Sequence, residues 1–179
     1  MGIYQEYASL YDPSGQAAFS HKMLPYLRRL LARHGVQGKR MVDVACGTGT
    51  VALSLAQAGW CVYGVDASAD MLAAARAKAA EKKTSVQWSQ QDMRTFGLPQ
   101  RVHLATCLYD SMNYMLSEED VEATFGRVFD TLLPGGLFLF DMNTIKALRE
   151  VWNDKSHFSD SDDLAVVFKS RCSQRQRRS

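Results

Sequence analysis

Val42-Asp43-Val44-Ala45-Cys46-Gly47-Thr48-Gly49-Thr50 is the stretch that decides how this chain is read: a short apolar strand runs into a glycine turn, and the turn opens a helix. Gly47 and Gly49 let the backbone approach a ligand closely, and the helix N-terminus presents unpaired N–H groups to an anionic one. Gly47, Gly49 and Ala52 also satisfy the G-x-G-x-x-A form of the dinucleotide fingerprint, and Asp66 follows Gly47 by nineteen residues, where a ribose-binding acid belongs. Asp43 is the unusual member. A carboxylate inside an apolar first strand is costly to bury unless a ligand or hydrogen-bond donors compensate it.

On either side of this stretch, short apolar strands alternate with helices. Residues 41–45, 61–65, 86–89, 102–108 and 137–140 read as strands, and helices near 50–58, 68–82 and 117–132 separate them. Ser117, with Asp120 three residues on, forms a candidate capping box for the last helix. Upstream, residues 16–34 carry Phe19, Met23, Tyr26, Leu27, Leu30 and Leu31 at helical spacing, with Gly35 as the stop. The alternation predicts an α/β fold: a doubly wound, Rossmann-like, mostly parallel sheet with helices on both faces and right-handed crossovers. Ligands of such sheets bind beyond the carboxyl ends of the strands.

Bulk properties narrow the function classes. A chain of 179 residues fits one domain with a real core, and its 46% hydrophobic and 22% charged residues are ordinary for a globular protein. No segment reaches the roughly 18 consecutive apolar residues of a membrane span. Met1-Gly2-Ile3-Tyr4-Gln5-Glu6 lacks the basic start and apolar run of a secretory signal, so no membrane contact and a cytoplasmic location are expected. Cys46, Cys61, Cys107 and Cys172 are dispersed, with no CxxC pair and no histidine at ligand spacing, and neither a metal nor a disulfide framework is expected. Lys169, Arg171, Arg175, Arg177 and Arg178 stand in the last eleven residues without an acid. The other sixteen cations face nineteen acids over residues 1–168, a net charge of −3 against the formal +2 of the whole chain. A faintly acidic body does not support nucleic-acid binding.

Asp43 separates two cofactor readings. A nicotinamide dinucleotide has no cation to set beside it, whereas S-adenosylmethionine carries two, its ammonium and its sulfonium, and a carboxylate for the helix N-terminus. Gln91-Asp92-Met93, after the third strand, offers an acceptor side chain beside an apolar one, suited to the amine and face of adenine. Asp43, Asp66 and Asp92 thus end three successive strands, as one adenosine-plus-amino-acid ligand requires.

With these residues in place the chain resembles the class I S-adenosylmethionine-dependent methyltransferases. Asp43-Val44-Ala45-Cys46-Gly47-Thr48-Gly49 is similar to that family's first motif, Gly64-Val65-Asp66-Ala67-Ser68 to its ribose-binding acid and following turn, Gln91-Asp92-Met93 to its adenine contact, and Leu133-Pro134-Gly135-Gly136 to the turn before its fifth strand. The resemblance covers residues 36–142 and implies cofactor binding by Asp43, Ala45, Gly47, Gly49, Asp66, Ala67, Met71, Gln91, Asp92 and Met93. Met71 and Met93 fit core packing equally well. Tyr109-Asp110-Ser111-Met112-Asn113-Tyr114 and Phe140-Asp141-Met142-Asn143-Thr144 resemble bacterial enzymes that methylate small molecules, which implies a small-molecule N or O acceptor met by Tyr109, Asp110, Asn113 and Tyr114. Tyr11 resembles a family tyrosine of the N-terminal cap. No Asn-Pro-Pro-Tyr-like run follows the fourth strand, which disfavours methylation of nucleic-acid bases. The alternatives left open are a nicotinamide-dependent oxidoreductase and a catalytically inactive cofactor-binding protein.

The expected organisation is an N-terminal cap region over residues 1–35, a cofactor-binding core over 36–142, a partial acceptor-side or lid segment over 143–168, and a disordered basic tail over 169–179. Residues 144–151 read as a helix and 164–168 as a short apolar run. The family's usual last two strands are missing from this pattern, so the C-terminus reads as truncated or altered. The fifth strand then becomes an exposed edge available for self-association.

Overall fold

The computed structural model describes residues 7–153, 155–161 and 164–170. Five parallel strands form one sheet in the order β3-β2-β1-β4-β5: β1 (Arg40–Val44), β2 (Cys61–Asp66), β3 (Gln87–Gln90), β4 (Val102–Cys107) and β5 (Leu132–Phe140). Helices α1 (Ala8–Tyr11) and α2 (Ala17–Arg33) precede the sheet, while α3 (Thr50–Gln57), α4 (Ala69–Glu81) and α5 (Glu118–Thr131) make the crossovers from β1, β2 and β4. The chain winds outward from β1 in both directions, so the crevice beyond the carboxyl end of β1 is the point where strand order reverses. The doubly wound fold expected from the sequence is the one observed.

Strand alternation divides the core into two layers. Val42 and Val44 join Tyr63, Val65, Ala105, Cys107 and the α5 residue Val128 on one face. Met41 joins Leu24 and Leu27 of α2, Val51 and Leu55 of α3, and Leu104 on the other. Asp43 has the parity of Met41, so its side chain enters the layer that holds α3. The helix starts are signalled locally. Ser68 Oγ accepts the Met71 amide at 3.3 Å and Ser117 Oγ accepts the Asp120 amide at 3.2 Å, capping α4 and α5. His103, isolated in the sequence, is structural: its Nδ1 accepts the Arg40 amide at 3.3 Å.

Trp88 of β3 pairs in register with Gly64 of β2, and its ring lies across that glycine toward the glycine turn. A Cβ on Gly64 would stand 2.3 Å from the indole, and one on Gly49 2.6 Å from it, with Gly49 at φ +79° besides. The indole therefore fills the space that two glycines leave and supports the turn from beneath.

The C-terminal region departs from the sequence reading. β5 begins at Leu132 rather than 137, because the Leu133-Pro134-Gly135-Gly136 turn is drawn into the strand as a register shift between Val102↔Leu132 and Leu104↔Leu137. The helix expected over 144–151 is present, with its Ala147–Val151 part wound as a wider π-helix closed by the Trp152 amide on the Ala147 carbonyl. The polar stretch that follows forms β6 (Lys155–Ser161), which pairs antiparallel with β7 (Leu164–Ser170) in a separate two-stranded sheet. Cross-strand pairing supplies the backbone partners there, where an apolar pattern does not. Lys169 and Ser170 belong to β7, which corrects the start of the expected tail; residues 171–179 lie outside the described residues. Neither β6 nor β7 joins the main sheet, and β5 has no strand partner on its outer side among the described residues. No described helix is long and apolar enough to cross a membrane.

Gly64→Ala should destabilise the domain by about 1–3 kcal/mol through overpacking against Trp88. The same substitution in a Trp88→Leu background should cost clearly less, because the atoms it strikes are gone. Urea denaturation of the four proteins measures both, and equal costs in the two backgrounds would show that the contact is not the cause.

Candidate functional site

Asp43 is 3% exposed and stands inside apolar β1, between Val42 and Val44. Its Oδ1 accepts the Thr106 hydroxyl at 2.7 Å, from the residue opposite it on β4, and the Ala52 amide in the first turn of α3 also points to it. Burial pushes its carboxyl up from 3.8 to about 7, with the Thr106 and Ala52 donors working against that rise and the charge of Asp66 adding to it. Beyond Asp43 the chain turns sharply: Ala45 and Gly47 both have positive φ, and a Cβ on Gly47 would meet no protein atom within 4 Å. That open side faces a cavity of about 390 Å³ at the carboxyl ends of the strands.

The second and third loops are tied to the first by carboxylates that accept backbone amides. Asp66 Oδ2 takes the Gly47 amide at 2.8 Å and Oδ1 the Ser68 amide at 2.8 Å. Asp66 is thus not the cap of α4, a role that Ser68 fills; it bridges the glycine turn to the β2 loop with lone pairs of both oxygens still available. Burial raises its pKa, and the amides of Ser68, Gly47 and Ala67 oppose the rise. Asp92 is clamped by Arg94, whose Nε and Nη2 reach its two oxygens at 2.9 and 2.6 Å and which keeps its carboxyl below the ordinary range. Arg94 Nη1 also reaches Asp120 at the start of α5, 2.9 Å away. The Gln91 amide group is used internally: Nε2 donates to Ser89 Oγ and Gly97 O, and Oε1 accepts the Gly97 amide.

Opposite these loops lie aromatic rings. Tyr109, after β4, packs against Phe19 at 5.2 Å and edge-on to Tyr11 at 6.3 Å, and its hydroxyl donates to Gln16 Oε1. Burial raises the Tyr109 phenol, so it is no general base near neutrality. The N-terminal segment is fastened over the cavity by Asp12, which accepts the Thr48 hydroxyl at 2.8 Å and pairs with Lys78 of α4 at 2.6 Å. Burial also drives the Cys46 thiol well above its usual range, which leaves it inert beside Asp43 and Asp66.

Of the residues expected to hold a cofactor, Asp43, Ala45, Gly47, Asp66, Ala67, Met71, Gln91, Asp92 and Met93 line this one cavity. Gly49 does not; its glycine is required by φ and by Trp88. Tyr11, Tyr109 and Tyr114 line the far side, while Asp110 and Asn113 stand behind the wall. Thr106, Asp12 and Lys78 were not singled out for the site by the sequence, whereas Asp141 stands in the motif after β5 that resembles an acceptor side. Thr106 had a signal, a hydroxyl inside an apolar strand, but Asp12 and Lys78 meet across 66 residues and had none.

A parallel sheet with an acidic cavity at its switch point defines a nucleotide-cofactor-binding α/β protein. A family model described as a methyltransferase domain matches residues 41–136. A Geobacillus sp. (strain WCH70) protein named a methyltransferase is 33% identical over 166 residues, 92% of this chain and 67% of that protein. The dTDP-3-amino-3,6-dideoxy-alpha-D-glucopyranose N,N-dimethyltransferase of Streptomyces fradiae is 32% identical over 76% of this chain and 52% of its own length. The crystal structure of an S-adenosylmethionine-dependent methyltransferase from Clostridium acetobutylicum ATCC 824 matches with a TM-score of 0.81 at 24% identity, over 97% of this chain and 71% of that one. This chain belongs to the class I S-adenosylmethionine-dependent methyltransferases. It spans about two thirds of the Geobacillus protein and about half of the Streptomyces enzyme. Membership decides the shared fingerprint in favour of S-adenosylmethionine over a nicotinamide dinucleotide.

Because the folded-state pKa of Asp43 lies above its unfolded value, the folded protein holds that proton more tightly. The stability this contributes is complete below about pH 3.8 and is lost as pH rises through about 7. Without ligand, the parent should therefore lose melting temperature relative to Asp43→Asn between pH 4 and pH 8. Thermal melts of both proteins across that range test it, and parallel curves would show that the carboxyl does not titrate there.

Proposed function

We propose that this protein transfers the methyl group of S-adenosylmethionine to a small-molecule nitrogen or oxygen acceptor. The observation that carries the reading is the buried Asp43 carboxylate beside an open glycine turn, a negative charge set where a cationic ligand would compensate its burial. The donor set fits this co-substrate. Asp43 suits the cationic methionyl end, the Gly47 turn leaves room at the backbone, Asp66 has acceptor capacity for two ribose hydroxyls, and the Asp92 and Met93 loop suits adenine. Gln91 would contribute through its backbone, since its side chain is engaged within its own loop.

The co-substrate supplies a methyl carbon already activated by its sulfonium, so the acceptor's lone pair forms the new bond as the carbon–sulfur bond breaks. What remains for the protein is alignment and exclusion of water. Tyr11, Tyr109 and Tyr114 provide that aromatic wall, and a ring beside a cation adds a favourable contact. Burial keeps the Tyr109 phenol protonated near neutrality, so in this reading the acceptor loses its proton to solvent or arrives without it. The Streptomyces relative acts on an amino sugar, which supports the small-molecule class. Cys46, Cys61 and Cys107 are free thiols, which supports a cytoplasmic setting. The outer edge of β5, beside exposed Phe129 and Phe140, is the surface through which we expect two copies to meet. A monomer at every concentration in sedimentation would remove that contact.

The direct test is calorimetric titration with S-adenosylhomocysteine and with NAD, followed by product detection with a panel of small amines and alcohols. Binding of NAD alone would overturn the proposal. Asp66→Ala and Asp66→Asn should each weaken S-adenosylhomocysteine at least about tenfold, since one or two charge-assisted bonds of roughly 1.5–3 kcal/mol each are lost. Parent-like affinity in a folded Asp66→Asn protein would show that this acid only bridges loops.

A further inference from the structure

Tyr109 and Asp110 are consecutive non-glycine residues in the left-handed region, at φ +65° and +61°. Single residues of this kind occur in turns, but two in succession persist only when their surroundings hold them. The holding group is the Asp141 carboxylate, just past β5: Oδ2 accepts the Tyr109 amide at 2.8 Å and Oδ1 the Asp110 amide at 2.7 Å. Both oxygens are spent on one strained turn, which is what brings the Tyr109 ring against Phe19 and its hydroxyl to Gln16. The turn is braced again behind the wall, where Ser111 Oγ donates to Leu108 O and the Asn143 amide donates to Asn113 Oδ1.

We propose that Asp141 is a positioning residue, which clamps the 109–110 turn so that Tyr109 forms the joint between the cavity and the N-terminal cover. It acts through Tyr109 and touches no ligand. The proposal rests on the methyltransferase reading only in taking the cavity as the cofactor site; the clamp itself is a statement about the backbone. Its consequence is that the loops after β4 and β5 govern how firmly the first turn of α2 closes.

The test compares the parent, Asp141→Ala, Asp141→Asn and the double variant Asp110→Gly with Asp141→Ala, all as the full chain. Amide hydrogen exchange and the release rate of S-adenosylhomocysteine are read. Asp141→Ala should exchange at least about tenfold faster at Tyr109 and Asp110 and about threefold faster at residues 17–20, with β1 and β2 unchanged. S-adenosylhomocysteine release should be about threefold faster. Asp141→Asn, which keeps one acceptor, should fall between, and it serves as the variant of record if Asp141→Ala does not fold. The double variant should recover part of the slow exchange at residues 17–20 and of the slow release, because glycine relieves one of the two strained positions without a clamp. A merely structural role would not produce that recovery. Parent-like exchange at 109–110 and 17–20 in both single variants, or no recovery in the double variant, would overturn the clamp. Failure of the parent to bind S-adenosylhomocysteine would instead strike the functional reading and leave the exchange comparison standing.

Discussion

The carboxylate of Asp43, buried in the first strand, is the constraint around which the rest of this structure is arranged. A charge in that position disfavours folding unless donors reach it, and the donors come from two directions: the Thr106 hydroxyl across the sheet from β4, and the Ala52 amide from the first turn of α3. Each requirement places an element. Thr106 must sit in register with Asp43, which fixes how β4 lies against β1. The helix must begin directly above the strand end, which demands positive φ at Gly47 and Gly49 and leaves no room for a Cβ at Gly49. The residual cost, expressed as a carboxyl raised to about 7, is the part left for a cation to offset.

The loops around that carboxylate share one device. At the ends of β2, β3 and β5 an aspartate accepts backbone amides from a neighbouring turn: Asp66 from Gly47 and Ser68, Asp92 from Arg94, Asp141 from Tyr109 and Asp110. Charge-assisted bonds of this kind are about twice as strong as neutral ones, so loops that would otherwise be mobile become a shaped rim. Asp66 and Asp141 differ in what they leave over. Asp66 spends one bond on each of two loops and faces the cavity, whereas Asp141 spends both on a single turn and stands behind it. The first can also serve a ligand; the second only shapes the wall.

Much of this was legible in the sequence because the signals are local. The glycine turn, the spacing from Gly47 to Asp66 and the alternation of strands and helices depend on residues near one another in the chain, and the sheet they predict is the sheet observed. What escaped depends on distance. Gly49 reads as a ligand-facing glycine, yet its role is set by Trp88, a residue 39 positions away that only the fold brings over it. Gln91 reads as a free acceptor, but a seven-residue loop folds back to occupy its side chain. β6 has no apolar alternation to announce it and exists because β7 pairs with it. Tyr109 and Asp141 read in sequence as parts of two separate acceptor-side motifs; only the positive φ angles reveal why one must hold the other.

The charges on the cavity wall bear on the direction of the chemistry as well as on binding. Asp43, Asp66, Asp70 and Asp92 line it, and among the described residues no lysine, arginine or histidine does. Lys78 is turned to Asp12, outside the lining, while Arg94 pairs with Asp92 as well as with Asp120 and offsets that one lining acid, so the unopposed charge lies with Asp43, Asp66 and Asp70. A wall of one sign in a confined space favours a ligand of the opposite sign more strongly than the same charges would in water. For the co-substrate proposed here that field acts on both the ammonium and the sulfonium before transfer and on the ammonium alone once the sulfur is neutral. The same wall that gathers the charged form therefore holds the spent form less tightly, and it would repel an anionic acceptor brought against it. Under the proposed reaction, an acceptor nitrogen brought into this cavity would move in the opposite sense: its charge would grow among those acids and the aromatic faces of Tyr11, Tyr109 and Tyr114 as the new bond forms.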